Sequence, residues 1–186
     1  MRLNADKLRE NVASTARLLA DDDTAGHVRP RVTTRLVDNV HARSDFTQYE
    51  KEFSFECDES EGRAGLGEHP SPLRYFLSGL GFCMQVWYAK GAALVGCELD
   101  DLQIDVLTYM DMRGEHLVAG VPTHPQWIII ESSVTSASDA AAALAMADEA
   151  NARCPVYGLV AKAVPIYERI TLNGESIRDT VPEGVE

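Results

Sequence analysis

The apolar stretch from Tyr75 to Ala89 is the feature that most limits how this chain can fold. Ser71 can cap a helix whose first residue is Pro72, and Gly96 can end it, so the sequence predicts one long helix across this stretch. That helix is apolar on nearly every face. Because a small domain rarely covers such a helix alone, it needs a sheet or a second subunit packed against it.

The composition is that of an ordinary globular domain. The chain has 186 residues, of which 45% are hydrophobic and 25% charged. Its formal net charge of −12 argues against nucleic acid as a partner. Gly79, Gly81, Gln85 and Lys90 make the apolar stretch a poor membrane span. The charged N-terminal residues lack the apolar core of a secretory signal, so we expect a cytoplasmic protein with free thiols.

Apolar spacing predicts the remaining elements. Asn4 can cap an amphipathic helix over residues 4–20, and we expect residues 1–30 to form a helical extension docked on a main domain of residues 31–186. Ser138 is expected to cap a second helix, and Pro165 to place the last strand near a sheet edge. Strands are predicted at residues 32–40, 49–57, 102–112, 126–134 and 164–172. This order predicts an α+β fold with antiparallel strand pairs.

Two cysteines are candidates for chemistry. Cys83 lies inside the apolar helix, and Cys154 precedes Pro155, where a new helical turn would present unpaired N–H groups to its sulfur. Their separation is unlike a metal-binding CxxC motif and suits a dithiol that meets only in the fold. Because a thiol reacts as the thiolate, a cation is needed nearby, and Arg43 and Arg153 are the candidates.

A structural interpretation of the cysteines stays open. Cysteine is among the most buried residue types, so Cys83 and Cys154 can each be a small core residue. That interpretation is favoured for Cys57, which alternates with Phe53 and Phe55, and for Cys97, which follows the end of the long helix.

Metal and nucleotide motifs are missing from the sequence. His41, His69, His116 and His124 lack the i,i+4 spacing of a zinc-binding helix, and none is close in sequence to a cysteine pair. No GxGxxG, GxxxxGK[ST] or GxSxG motif occurs. We therefore expect neither a metal nor another cofactor.

Two segments together resemble the OsmC/Ohr family. Residues 66–83, LGEHPSPLRYFLSGLGFC, show its glycine-rich loop, its Pro-Ser-Pro turn and an apolar helix with a cysteine after small residues. Residues 153–156, RCPV, reproduce its cysteine-proline at the end of the next helix. The resemblance covers residues 31–175. It implies an α+β fold with antiparallel sheets and two long apolar helices, built as an intertwined homodimer with active sites at the subunit interface.

The same resemblance implies thiol-dependent reduction of organic hydroperoxides. Cys83 is similar to the peroxidatic thiol, which becomes a sulfenic acid, and Cys154 to the resolving thiol, which closes a disulfide that a dithiol reductant reopens. Arg43 is the candidate for the family arginine. The family glutamate just after the helix-starting proline is absent, because Leu73 and Arg74 occupy that stretch.

The missing carboxylate leaves other functions open. One is a catalytically weak OsmC-like protein that binds a small apolar ligand at the dimer interface. Another is a purely structural partner protein, which would respond neither to peroxide nor to such a ligand.

Overall fold

The computed structural model describes residues 3–185, which belong to two compact units. The first unit comprises Met1–Arg17 and Ser78–Glu186, and the second comprises Leu18–Leu77. The helices are α1 (Ala5–Asp21), α2 (Pro72–Val95), α3 (Ala140–Arg153) and α4 (Pro155–Val160). The strands are β1 (Thr33–Asp38), β2 (His41–Gln48), β3 (Lys51–Cys57), β4 (Asp101–Tyr109), β5 (Trp127–Thr135), β6 (Ile166–Leu172) and β7 (Glu175–Asp179).

The domain boundary expected near residue 30 stays a prediction. Residues 1 and 2 of the expected extension lie outside the described residues. Within the described part, Asn4 caps α1 as predicted, since its Oδ1 accepts the Lys7 N–H at 3.0 Å. Arg9 of the same helix donates from Nε to the Ala93 carbonyl at 3.1 Å, which fastens α1 to the end of α2.

The first unit is built on a four-stranded sheet in the order β4-β5-β6-β7. Its outer pairs, β4–β5 and β6–β7, are antiparallel, whereas β5 and β6 are parallel. A parallel pair needs a long crossover connection, and α3 and α4 supply it here. The buried core of this unit includes Ile128, Ile130, Val134 and Ile170.

Helix α2 packs on this sheet and on α3. The Tyr88 hydroxyl, fully buried, donates to Ser132 Oγ of β5 at 3.1 Å. The backbones of α2 and α3 come so close that a Cβ on Gly91 would lie 2.8 Å from the Met146 carbonyl oxygen. Within residues 3–185, no helix combines the length and apolar character needed to cross a membrane.

The predicted bounds of α2 are confirmed. The helix begins at Pro72, and it ends before Gly96, which has a φ of +76°. The Cys97 N–H then donates to the Ala92 carbonyl at 3.0 Å, the bond that closes a Schellman motif.

The second unit contains a three-stranded antiparallel sheet in the order β1-β2-β3. Phe53, Phe55 and Cys57 share one of its faces, as predicted, because they pair with Phe46, Ser44 and Ala42. Phe53 and Phe55 are nevertheless 39% and 50% exposed in the single chain. The opposite face is polar and carries Arg43, Asp45 and Glu56.

Two strands lie where none was predicted. β2 occupies the segment expected to be a polar connection. The strand was not predicted because few of its residues are apolar, so no apolar alternation indicates it. β7 follows Asn173 and Gly174, whose φ values of +52° and +88° suit a two-residue hairpin turn.

Two details of the prediction were wrong. Asp139, not Ser138, caps α3: the Asp139 carboxylate accepts the Ala142 N–H at 2.9 Å, whereas Ser138 Oγ accepts the Glu98 N–H. Pro165 does not mark a sheet edge, since β6 lies between β5 and β7. Pro165 precedes the first residue of β6, so its missing N–H interrupts no ladder bond.

The approach of α2 to α3 predicts how two glycine substitutions differ. Gly91→Ala would push a methyl group against the Met146 carbonyl, so we expect it to lower the free energy of unfolding by about 1–3 kcal/mol. Gly79→Ala, on the same helix, meets nothing within 4 Å and should be neutral or raise stability by up to about 1 kcal/mol. Chemical denaturation of both variants tests this, and equal stabilities would contradict the close packing.

Candidate active site

Cys83 is half-buried on the part of α2 that lies over the sheet. Two residues earlier on the helix, a Cβ on Gly81 would be 3.5 Å from Val106 Cγ2 of β4, an ordinary packing distance. Phe82 and Val86, the neighbours of Cys83 on α2, are 68% and 53% exposed. Cys83 therefore lies between a packed helix face and an exposed apolar one.

Cys154 forms the junction between α3 and α4. Its N–H donates to the Ala150 carbonyl at 2.9 Å, which ends α3, and its Sγ accepts the Tyr157 N–H at 3.3 Å, which caps α4. Pro155 is the first residue of α4, so the predicted helical turn is confirmed. The side chain is almost completely enclosed, with 2% of its residue surface exposed.

The fold brings the two candidate thiols close enough for Cys83 to affect the pKa of Cys154. The pKa of Cys154 is raised to about 11, mainly because the thiol is buried and secondly because it interacts with Cys83. The N–H groups of Tyr157 and Val156 act in the opposite direction but are outweighed. Cys154 therefore keeps its proton at neutral pH. All four cysteines are free.

A buried ion pair lies on the sheet in the same unit. Glu168, on β6, is 7% exposed and accepts hydrogen bonds from Arg178 Nη1 at 3.0 Å and Asn151 Nδ2 at 2.6 Å. Arg178 also donates to Asp148 of α3 at 2.7 Å. Burial first, and then the Glu168 charge, raises the pKa of the Tyr157 hydroxyl, and Arg178 partly offsets this. Tyr157 is the residue whose N–H donates to Cys154 Sγ.

The sequence prediction missed this ion pair, although a signal was present. Glu168 alternates with Ile166 and Ile170 along β6, so it occupies an inward-facing position of a strand. A charged residue at such a position needs a buried partner. The partner, Arg178, lies on β7, which was not predicted.

Both candidate arginines are paired with carboxylates. Arg43 lies in the second unit, where its Nε donates to Asp45 Oδ1 at 2.8 Å and its Nη1 lies 3.5 Å from Glu56 Oε1. The bond to Asp45 is the main cause that raises the pKa of Arg43. Arg153, in the first unit, donates to Glu149 and lies 6.0 Å from the Trp87 ring.

The other two cysteines have surroundings typical of structural residues. Cys97 is buried, and its Sγ lies 3.7 Å from the Glu98 carbonyl oxygen. Cys57 is half-buried on the aromatic face of the three-stranded sheet.

Comparison with known proteins identifies similar chains. The family model described as OsmC-like protein matches residues 65–169. No curated protein sequence matches the chain. An OsmC-like protein from Mycoplasma pneumoniae has a TM-score of 0.64 and 14% identity over 78% of this chain and 97% of its own.

Two further solved structures have TM-scores of 0.59. One is an organic hydroperoxide resistance protein OsmC from Legionella pneumophila, 12% identical over 78% of this chain and 99% of its own. The other is an organic hydroperoxide resistance protein from Elizabethkingia anophelis, 9% identical over the same shares of the two chains. At these identities, the similarity shows a shared α+β fold.

The raised pKa of Cys154 predicts its reactivity towards a small alkylating reagent. Because the thiolate is the reactive form, the alkylation rate should rise about tenfold per pH unit and level off only near pH 11. In Cys83→Ala the levelling should occur at lower pH, since one cause of the shift is gone. Mass spectrometry of the Cys154 peptide measures the rate. Levelling near pH 9, as in the denatured chain, would contradict the assignment.

Proposed function

The chain belongs to the OsmC-like protein family, and from that premise we propose that it is a thiol-dependent peroxidase that reduces organic hydroperoxides. Cys83 is the attacking thiol and Cys154 the resolving thiol. The electrons come from a dithiol reductant that exchanges with the resulting disulfide.

The observation that carries this proposal is the unequal pair of thiols. Cys154 is enclosed and holds its proton, so it is a poor first nucleophile. The neighbouring Cys83 thiol is itself one of the causes that keep Cys154 protonated. Cys83 is also the more accessible of the two. This arrangement suits attack by Cys83 and resolution by Cys154.

The proposed reaction starts with attack of the Cys83 thiolate on one peroxide oxygen. The O–O bond breaks, Cys83 becomes a sulfenic acid, and the leaving alkoxide takes the Cys154 proton to form the alcohol. The Cys154 thiolate then attacks the Cys83 sulfur. The S–S bond forms as the S–O bond breaks, and hydroxide leaves and is protonated to water. A dithiol then reduces the disulfide and is itself oxidised.

Arg43 is the residue we assign to stabilising the Cys83 thiolate, following the family pattern. The family glutamate that orients this arginine is replaced here by Leu73 and Arg74. Asp45 and Glu56 are the carboxylates beside Arg43, and we propose that they take over its orientation. A guanidinium held by two acids has fewer free donors, so turnover is expected to be slow.

An organic peroxide suits the surroundings of Cys83 better than hydrogen peroxide. Phe82 and Val86 present apolar surface on either side of it, and similar structures are named organic hydroperoxide resistance proteins. Burying an alkyl or aryl group there contributes about 25 cal/mol for each Å² removed from water. With four free cysteines, we place this reaction in a reducing cytoplasm.

We further propose an intertwined homodimer. Each unit exposes large apolar side chains in the single chain: the second exposes Phe53, Phe55 and Phe76, and the first exposes Phe82 and Val86. Exposed apolar side chains of this size favour an interaction site, and a second copy of the chain would cover them.

Peroxide titration tests the catalytic proposal. One equivalent of cumene hydroperoxide should remove two thiols per chain, and Cys83→Ser should abolish the loss because no attacking thiolate remains. Cys154→Ser should instead accumulate a sulfenic acid on Cys83 that dimedone traps. Arg43→Ala should slow the loss without changing its stoichiometry.

A different outcome would favour the ligand-binding alternative. If the reduced wild-type chain keeps its thiol titre after peroxide but gains thermal stability with a fatty acid, the chain binds an apolar ligand and the peroxidase proposal is wrong. Cys57→Ser is the matched control, because it removes a thiol outside the proposed pair.

Sedimentation equilibrium tests the homodimer. A mass of twice the chain mass of 20.4 kDa is expected at micromolar concentration. A monomer would contradict the proposal. Phe82→Glu should shift the equilibrium towards monomer by placing a charge in the covered surface.

A further inference from the structure

Two histidines and a glutamate of the second unit converge on one point. His41 is the first residue of β2, Glu56 lies near the end of β3, and His69 lies in the loop that follows β3. Their nitrogen and oxygen ligand atoms all lie within 4.8 Å of one another, and all three residues are half-buried. We propose that this His41–Glu56–His69 cluster binds one divalent first-row transition metal ion such as Zn²⁺.

The ligand atoms are close to the spacing that a metal imposes. Glu56 Oε2 is 2.9 Å from His41 Nε2 and 3.4 Å from His69 Nε2. Tetrahedral zinc with bonds of about 2.0–2.1 Å separates its ligand atoms by about 3.3 Å. The imidazole rings are stacked, with centroids 5.0 Å apart. One ring therefore has to turn about its Cβ–Cγ bond to aim its lone pair at the ion.

The donor set determines the class of metal. Two imidazoles and one carboxylate suit zinc, iron, cobalt or nickel, whereas calcium and magnesium prefer oxygen ligands alone. Three protein ligands leave a fourth position for water or another small ligand. The cluster is in the second unit, so this inference does not rest on the proposed thiol chemistry.

The second ligand shell is also present. Arg43 Nη1 lies 3.5 Å from Glu56 Oε1, the oxygen that does not face the histidines. An arginine paired with the outer oxygen helps to orient a ligating carboxylate and leaves the other oxygen for the ion.

The loop that carries His69 is held against the end of β3 by Asp58. This buried carboxylate accepts the N–H groups of Glu59, Leu66 and Glu68 at 2.8, 3.0 and 3.3 Å. The Asp58 N–H also donates to the Pro70 carbonyl, one residue beyond His69. The backbone of this loop is therefore already ordered before an ion binds, which reduces the entropic cost of binding.

Gly65 is required for this loop conformation. A Cβ there would lie 1.9 Å from the Glu59 carbonyl oxygen, so only glycine permits the approach. The cluster was not predicted because its members come from three segments and pair across strands rather than along a helix.

Zinc binding to the full chain tests the proposal. Competition with a chromophoric chelator should give one Zn²⁺ per chain. His41→Gln, His69→Gln and Glu56→Gln should each weaken binding at least tenfold, the lower limit for losing even an outer-shell group. Glu56→Gln keeps a hydrogen-bonding side chain of the same size. A loss of zinc affinity in this variant therefore reports the loss of a metal ligand and not of polar packing. His124→Gln, in an exposed loop, is the matched control and should bind zinc like wild type.

Thiols are the competing ligands, and two measurements separate them. A Cys83→Ser/Cys154→Ser chain should keep its zinc affinity. Co²⁺ bound in place of zinc should show no sulfur-to-metal charge-transfer band. Circular dichroism confirms that each variant is folded. Absence of saturable binding, binding unchanged in His69→Gln, or binding lost with the two cysteines would each overturn the proposal.

Discussion

The close packing of α2 against α3 is the constraint on which the proposed chemistry depends. Gly91 lets the two backbones approach, and Tyr88 fixes the same helix to β5 through Ser132. Because α4 begins where α3 ends, this packing also sets the position of Cys154. Two sulfurs that are far apart in sequence thereby come close enough to interact, and burial keeps the proton on the enclosed one. The local backbone at Cys154, on its own, would favour the opposite charge state.

The elements predicted correctly are those whose signals lie within a few neighbouring residues. Pro72 and Gly96 fix the ends of α2, and alternating Phe53, Phe55 and Cys57 fix one face of β3. β2 was missed because a strand with polar residues on both faces has no apolar alternation to reveal it. β7 was missed although Asn173-Gly174 is a strong hairpin signal. That omission also hid Arg178, and with it the partner of Glu168.

The candidate site also has parts that local sequence signals predict and parts that they do not. Sequence could place Cys154 at the start of a helical turn, because Pro155 is a local signal. The residues alone allowed a dithiol that meets in the fold, but the roles of Cys83 and Cys154 came only from resemblance to a family, since no spacing rule joins a helix interior to a distant cap. The histidine and glutamate cluster was beyond both approaches. Its geometry comes from strand pairing and from a loop held by Asp58.

The central claim is that Cys83 and Cys154 form one redox pair, and peptide mapping of the oxidised chain tests it most directly. After limited treatment with an organic hydroperoxide, non-reducing digestion and mass spectrometry should find a single disulfide, between the peptides that contain these two residues. Sulfinic acid on Cys83 with Cys154 still free, or a disulfide that involves Cys57 or Cys97, would contradict it.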